Sequence, residues 1–274
     1  MAYVTFVSDE RFEAIVKDVL NKGIEAKKKT AAKFGKNVID PFAAIFEMGA
    51  FNLDFDQWKK SEVERQTQKT LSNQMGVFHQ KFLGSVTGWT DLGVGKGIDL
   101  LNTDKKIIAE IKNKHNTLKG SDQVGLYDEL TKLVMPNGQQ YKDYTAYYVY
   151  IVPKRAGRVN KVFTPSDKKT STRCSPNDLI RQIDGDSFYA LVTGVDDALE
   201  QVFLALPKVI KACMPSLLMT DVDNTEEYFK VAFVPKPPPL PKSPKVPKAP
   251  RPIKVTRAVK ATRVRKTTSV RRSP

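Results

Sequence analysis

Apolar residues recur every three or four positions in several long stretches of the chain, which is the spacing of one face of an α-helix. The first stretch follows Ser8 and Asp9, which can cap a helix, and its apolar positions begin at Phe12. Asp40 followed by a proline marks the start of a second helix. The spacing predicts helices over residues 9–31, 41–50, 56–83, 122–134 and 195–212.

Shorter runs rich in β-branched and aromatic residues predict strands. They begin after a group of glycines between residues 88 and 97, which interrupts the helical pattern. Segment 153–178 is polar, basic and turn-prone. The predicted strands cover residues 98–101, 106–112, 145–152 and 188–192. Helices, an antiparallel strand pair and then further strands and helices in this order predict a mixed α/β domain.

The stretch around the first two strands is the most informative, because one hairpin register sorts its side chains by polarity. If Asp99 faces Glu110, the turn falls on the polar residues between the strands. Side chains alternate across a strand, so this register gathers Asp99, Glu110 and Lys112 on one face. The opposite face is then apolar and consists of Ile98, Leu100, Ala109 and Ile111.

These three polar side chains indicate a chemistry. Mg²⁺ in proteins takes one or two carboxylates and completes its shell with water and phosphate oxygens. We therefore expect Asp99 and Glu110 to bind Mg²⁺ and Lys112 to orient or deprotonate the water that attacks a phosphodiester. The alternative is a surface hairpin in which Lys112 only pairs with the two acids.

An Asp, a gap and then Glu-x-Lys resembles the PD-(D/E)xK nuclease superfamily, with Ile98 at the proline position of its motif. Longer segments resemble type II restriction endonucleases that cut GGWCC or GGNCC, and the likeness covers about residues 10–233. The matching segments are QMGVFHQ at 74–80, GID at 97–99, IKNKHNT at 111–117 and IDGDSFY at 183–189.

This resemblance implies a restriction-endonuclease-like core, in which helices flank a central mixed sheet. It also implies a homodimer, Mg²⁺ as cofactor, double-stranded DNA as substrate and a companion DNA methyltransferase that acts on the same site. Nucleases of this superfamily can place an acid or amide from the preceding helix near the metal. Glu64 and Gln80 are the candidates for this accessory role, although exposed helix polarity is the alternative for Glu64.

Several polar and basic residues are candidates for DNA contacts. Arg and Lys can pair with guanine and Asn with adenine in the major groove, whereas contacts to phosphate carry no sequence information. Segment 154–161 fits a G/C-rich target, with phosphate contact alone as the alternative. One of the two histidines, His79, lies beside Phe78 and is expected to be packed in the core. The predicted DNA contacts are Lys96, Asn113, His115, Asn116, Lys154, Arg155, Arg158, Asn160 and Lys161.

Charge divides the chain into two parts. The net charge of the 274 residues is +15, yet the last 39 residues hold 13 Lys and Arg, nine of the 17 prolines and no acid. The first 235 residues therefore carry 32 basic groups against 30 acidic ones. We expect a catalytic and DNA-recognition domain over 1–235 and a disordered tail over 236–274 that binds nucleic acid without reading its sequence. A purely solubilising extension is the alternative for the tail.

Composition also excludes some classes of protein. No apolar run reaches the roughly 18 residues of a membrane helix, and no secretory signal is visible at the N-terminus. Two cysteines, Cys174 and Cys213, cannot build a disulfide framework, so we expect a reducing cytoplasm. Two rival functions stay open, namely a non-specific or repair-type nuclease of the same superfamily and a non-catalytic DNA-binding protein that acts through its tail.

Overall fold

The computed structural model describes residues 2–36, 38–93, 95, 97–167, 171–216 and 225–235. Lys96 and the tail 236–274 lie outside the described residues. Seven α-helices occur in the described part of the chain, and a short 3₁₀ turn, Phe34–Lys36, follows the first of them. The helices are α1 (Asp9–Ala32), α2 (Pro41–Phe51), α3 (Phe55–Leu83), α4 (Gly120–Val134), α5 (Gly185–Thr193), α6 (Ala198–Cys213) and α7 (Thr225–Phe233).

The first three helices begin where the sequence predicts, because side chains satisfy their free amide groups. Ser8 accepts a hydrogen bond from the backbone of Arg11 at the start of α1. Asp40 caps α2, and Asp54 with Gln57 forms a reciprocal capping box at the start of α3. These caps explain why the three helices begin at these residues.

Six strands form the central sheet in the order β1-β2-β3-β4-β8-β5. The pairs β3–β4 and β4–β8 are parallel, and the other pairs are antiparallel, so the predicted mixed sheet is confirmed. A separate ribbon joins β6 to β7. The strands are β1 (Thr90–Asp91), β2 (Leu100–Asn102), β3 (Ile107–Lys114), β4 (Thr145–Val152), β5 (Asn160–Val162), β6 (Ser166–Asp167), β7 (Thr172–Arg173) and β8 (Ile180–Asp184).

Helices cover both faces of this sheet. One face packs against α1, α3, α5 and α6 through a core that includes Phe12, Phe82 and Phe188. The other face packs against α4 through Leu130 and Val134. The predicted helix-flanked sheet is therefore confirmed, and both layers bury aromatic and aliphatic side chains that stabilise the fold.

Two expectations about elements are wrong. Residues 188–192 lie in helix α5 and not in a strand, because Asp184 accepts a hydrogen bond from the backbone of Ser187 and caps a helix there. The strand lies just before it, as β8, a parallel neighbour of β4. The segment 153–178 also holds β5, β6 and β7, which are too short to leave a clear alternation in the sequence.

No helix in the described ranges is both long enough and apolar enough to cross a bilayer.

Candidate active site

The predicted hairpin register is confirmed over the paired residues of β2 and β3. Leu100 lies opposite Ala109 and Leu101 opposite Ile108. Ala109 belongs to the core on the α1/α3 face, whereas Ile108 belongs to the core on the α4 face. Alternation along β3 therefore directs Glu110 and Lys112 to the α4 face.

One part of the face assignment is wrong. Ile98 does not share the apolar face of Leu100 but is buried in the α4-side core together with Ile108. The reason is that regular pairing begins only at Leu100, and the backbone bends at Asp99 just before the strand. Strict alternation therefore cannot be extended back to Ile98.

Asp99 is held at this bend by three hydrogen bonds. Its backbone nitrogen donates to the carbonyl of Ala109 and its carbonyl accepts from Leu92, both at 2.9 Å. The carboxylate oxygen Oδ2 accepts from the backbone nitrogen of Ile111 at 2.7 Å. Because Ile111 lies between Glu110 and Lys112, this bond fixes Asp99 beside the two other candidate residues.

Glu110 and Lys112 are bonded to each other. Lys112 Nζ donates to Glu110 Oε1 at 2.5 Å, and both side chains are largely buried. Burial raises the pKa of Glu110, the neighbouring charge of Asp99 raises it further, and Lys112 opposes this shift. Burial also raises the pKa of Asp99, against the hydrogen bond from Ile111 and the charge of Lys112. The structure therefore brings all three residues into one electrostatically coupled cluster.

A third carboxylate, Asp91 on β1, belongs to the same neighbourhood. Its charge contributes to the raised pKa of Asp99. Its Oδ1 accepts from Gln80 Nε2 and from the backbone of Gly93, each at 2.8 Å. Asp91 thus ties the end of α3 to the loop that leads into Asp99.

Sequence reasoning missed Asp91, because a two-residue strand leaves no alternation pattern. Gly84 was the available signal. A Cβ atom at this glycine would lie 2.6 Å from the Cβ of Asp91, so α3 can end against β1 only through a residue without a side chain.

The ends of β3 and β4 bring several predicted DNA contacts to one edge of the sheet. These strands are parallel, so the residues that follow them emerge side by side. The backbone nitrogen of His115 donates to the carbonyl of Val152 at 3.0 Å and joins the two exits. Asn116, Lys154 and Arg155 are exposed at this edge. They lie beyond Lys112 in the direction of both strands, where ligands of α/β sheets commonly bind.

Other residues predicted to belong to the site lie away from the cluster or bond to other protein groups. Asn113 points away from Lys112 and lines a cavity on the α1/α3 side of the sheet. Glu64 is exposed on α3, about 24 Å along the helix from Gln80, and is therefore not brought to the cluster. Asn160 and Lys161 are exposed on the edge strand β5, where Asn160 accepts from Arg181.

Arg158 is held by acidic residues in this structure. Its guanidinium forms ion pairs with Asp186 and Asp196, and these bonds raise its pKa. The neighbouring backbone nitrogen of Val159 donates to Asp184, which also caps α5. Arg158 therefore ties the loop after β4 to α5, and a base contact would require these ion pairs to open.

The donor set of the cluster fits a hard divalent cation. Asp99 and Glu110 offer two neighbouring carboxylates, the number that Mg²⁺ commonly takes from protein. Their raised pKa values show that the uncompensated negative charge costs free energy, which a cation would offset. No group of three or more His, Cys, Asp or Glu side chains suited to a metal occurs among the described residues. A site here would therefore rely on DNA phosphate and water for its remaining ligands.

Comparison with known proteins identifies the family of the chain. The model of the family described as Eco47II restriction endonuclease matches residues 4–215, a span that includes all the residues of the cluster. The chain is 43% identical to the type II restriction enzyme Eco47II of Escherichia coli, over 85% of this chain and 100% of that protein. It is 35% identical to the type II restriction enzyme Sau96I of Staphylococcus aureus, over 75% of this chain and 78% of that protein. The chain therefore belongs to the Eco47II restriction endonuclease family and is a type II restriction endonuclease, a site-specific deoxyribonuclease.

Proposed function

We propose that the enzyme makes Mg²⁺-dependent double-strand cuts in DNA and that Asp99, Glu110 and Lys112 carry the reaction. The observation that supports this most is the hydrogen-bonded pair Lys112–Glu110, with Asp99 fixed beside it by the backbone of Ile111. The order of these residues, an Asp followed by Glu-x-Lys, matches the PD-(D/E)xK pattern, and β3 and β4 lead from the cluster towards the edge where Lys154 and Arg155 are exposed.

Hydrolysis forms a bond from the water oxygen to phosphorus and breaks one P–O ester bond, and the leaving sugar oxygen takes up a proton to become a hydroxyl. The site must therefore position a water and offset charge on the phosphate. Glu110 holds Lys112 Nζ, and we assign this group to orienting the attacking water as an ammonium, or to accepting the proton of that water once it has given up its own proton as a neutral amine. Asp99 and Glu110 would hold Mg²⁺, which supplies positive charge to the phosphate oxygens as the bond to phosphorus forms. Gln80 acts indirectly in this proposal, because its amide holds Asp91.

The proposed target is a short G/C-rich palindrome, GGWCC or GGNCC. The resemblance of residues 74–80, 97–99, 111–117 and 183–189 to enzymes that cut these sites supports it. Arg155 is free to reach a guanine from the loop after β4, whereas Arg158 must first leave Asp186. His115 and Asn116 contact the DNA from the loop after β3 in this proposal, and Asn160 and Lys161 from β5.

Cutting both strands of a palindrome suits a homodimer, since the twofold symmetry of the protein then matches that of the DNA. We also propose a companion DNA methyltransferase that modifies the same site without touching this enzyme. Both proteins would act in the cytoplasm, where the DNA of the host lies. Membership of the family excludes the non-catalytic DNA-binding protein as the main function.

Mapping the ends of cleaved DNA tests the proposal. The purified chain is incubated with a mixed-sequence DNA pool and Mg²⁺, and the new ends are sequenced. We expect every end to derive from one palindrome and a chelator to stop cleavage. Ends without a common sequence would indicate the non-specific or repair-type nuclease instead, and intact DNA would contradict the proposal.

Four duplexes that differ only in the central base pair of the site then decide its width. Cleavage of all four indicates GGNCC, whereas cleavage of only the A·T and T·A duplexes indicates GGWCC. Cleavage of neither set would remove both candidate sites.

A further inference from the structure

Helix α2 exposes a row of large apolar side chains. Phe42, Ile45 and Phe46 follow the i, i+3, i+4 spacing of one helix face and are 75%, 67% and 76% exposed. Three further large apolar residues of this segment are also exposed, namely Val38, Phe51 and Phe55. Monomeric proteins rarely expose an apolar patch of this size without a function for it.

The apolar helix is firmly supported from behind. Ala44 on the opposite face of α2 is buried, and Trp58 of α3 donates from Nε1 to Glu47 Oε2 at 2.9 Å. Phe34 packs edge-on against the same Trp58 ring. The exposed face is therefore presented by a capped helix with its own anchor, and exposure is not the result of a frayed element.

The charge around this face favours a second copy of the same surface, and not DNA, as its binding partner. Residues 33–60 carry four Lys and four acidic side chains, so the segment is neutral in a chain with a net charge of +15. A DNA-binding surface would require excess positive charge. A neutral apolar surface can meet itself across a twofold axis without repulsion.

The exposed apolar area is close to what a dimer interface requires. On the usual scale of about 150–250 Å² for an aromatic side chain, the six residues together expose roughly 700 Å² per copy. A standard interface buries about 800 Å² on each partner, so rim contacts need to add only a little. Phe51 lies half a turn around the helix from Phe42, so the partner must wrap around the end of α2.

We infer that the α2 segment, residues 38–55, is the surface through which two copies of this chain associate. Phe42, Ile45 and Phe46 form the centre of the contact in each copy. The inference deepens the proposed function, because it names the surface that pairs the two active sites on a palindrome. It depends on α2 alone, however, and can be tested without DNA.

Light scattering after size exclusion measures the mass of the full chain directly. We expect the wild type at micromolar concentration to have about twice the 30.7 kDa of one chain. The double variant Phe42→Lys/Phe46→Lys should have the mass of one chain, because it buries two charges in an apolar contact. Val231→Lys is the matched control, since Val231 is 69% exposed on α7 outside this segment, and it should remain dimeric.

Circular dichroism melts of the same samples separate dissociation from unfolding. If the lysine variant is less well folded, the milder Phe42→Ser/Phe46→Ser variant replaces it and should weaken association at least about tenfold in sedimentation. A monomeric wild type, a folded variant that remains dimeric or a monomeric Val231→Lys would overturn the inference. If the enzyme is active but its α2 variants remain dimeric, the inference about α2 fails and the proposed function stands. If the chain forms a dimer through α2 but cuts no DNA, the proposed function fails and the inference about α2 stands.

Discussion

Asp99 and Glu110 carry like charges and lie together in a largely buried part of the protein, which is unfavourable unless another group compensates their charge. Lys112 supplies part of the compensation through its bond to Glu110, and the backbone of Ile111 supplies part of it at Asp99. The remaining cost raises the pKa of both acids. In the proposed mechanism a divalent cation would offset this cost, since both carboxylates are held in place by other contacts.

His79 offers a separate test at the level of one residue. Its ring bonds to the hydroxyl of Tyr189 at 2.7 Å, and enclosure in the protein lowers its pKa to about 3. An unfolded histidine has a pKa of about 6.5, so the unfolded state binds the proton first as the pH falls. The stability that neutral His79 confers is therefore complete above pH 6.5 and is lost between about pH 6.5 and 3.

Urea unfolding at pH 7.5 and pH 5 measures this effect. As the pH falls, the unfolding free energy of the wild type should decrease by up to about 1.4 kcal/mol per pH unit more than that of His79→Gln. This difference applies over the pH range in which His79 is charged only in the unfolded state. Parallel pH profiles for the wild type and His79→Gln would show that His79 is not held neutral.

The residues of the cluster could be predicted from the sequence, because alternation over two adjacent strands fixes which side chains share a face. Asp91 could not be predicted in this way, because it reaches the site through hydrogen bonds from Gln80 and Gly93. Such contacts depend on how α3 ends against β1. The displaced Ile98 has a similar origin, since the backbone leaves regular strand geometry at Asp99.

At the level of elements, the segment that joins β8 to α5 contains the motif at residues 183–189, and its contacts explain why Asp184 and Gly185 occur there. Asp184 ends the strand, caps α5 and accepts from the backbone of Val159. Gly185 follows it because the backbone of Ile151 on β4 leaves no room for a side chain. The run of apolar residues after Gly185 resembles a strand in composition, and only the cap and the close approach make it helical. The sequence pattern alone therefore predicts the wrong element there.

Substitution of two glycines tests this close approach. A Cβ at Gly185 would lie 2.5 Å from the carbonyl oxygen of Ile151, so Gly185→Ala should cost about 1–3 kcal/mol of unfolding free energy. At Gly125, inside α4, a Cβ meets nothing within 4 Å, and Gly125→Ala should add about 0.5–1 kcal/mol. Denaturant titration of both variants gives the comparison. Equal effects at the two positions would contradict the packing of α5 against β4.

At the scale of the whole molecule, charge and catalysis belong to different parts of the chain. The first 235 residues have 32 basic against 30 acidic groups and contain the proposed catalytic cluster, whereas the tail has 13 basic groups and no acid. The family model matches residues 4–215 and ends before the tail. We therefore propose that site recognition comes from local contacts within the first 235 residues and that the tail adds attraction for any DNA. Composition predicts this division, but it could not predict that α2 presents an exposed apolar face.

Deletion of residues 236–274 tests the division. The truncated enzyme should bind DNA more weakly, and its affinity should fall less steeply with salt, because fewer counterions are released from DNA. Its cut site should be unchanged, since phosphate contacts carry no sequence information. A full-length variant with all 13 tail Lys and Arg replaced by Gln should behave like the truncation. Mapped ends at a different sequence would show that the tail takes part in recognition.

The most direct test of the catalytic assignment is cleavage by Lys112→Ala beside its binding of the same DNA. We expect the cleavage rate to fall by at least about 100-fold, whereas binding measured by gel shift in the presence of a chelator should stay within a few fold of the wild type. Lys208→Ala, which removes an exposed lysine of α6 on the other side of the sheet, should leave both quantities unchanged. Full cleavage by Lys112→Ala would contradict the catalytic role proposed for Lys112 and remove this residue from the mechanism.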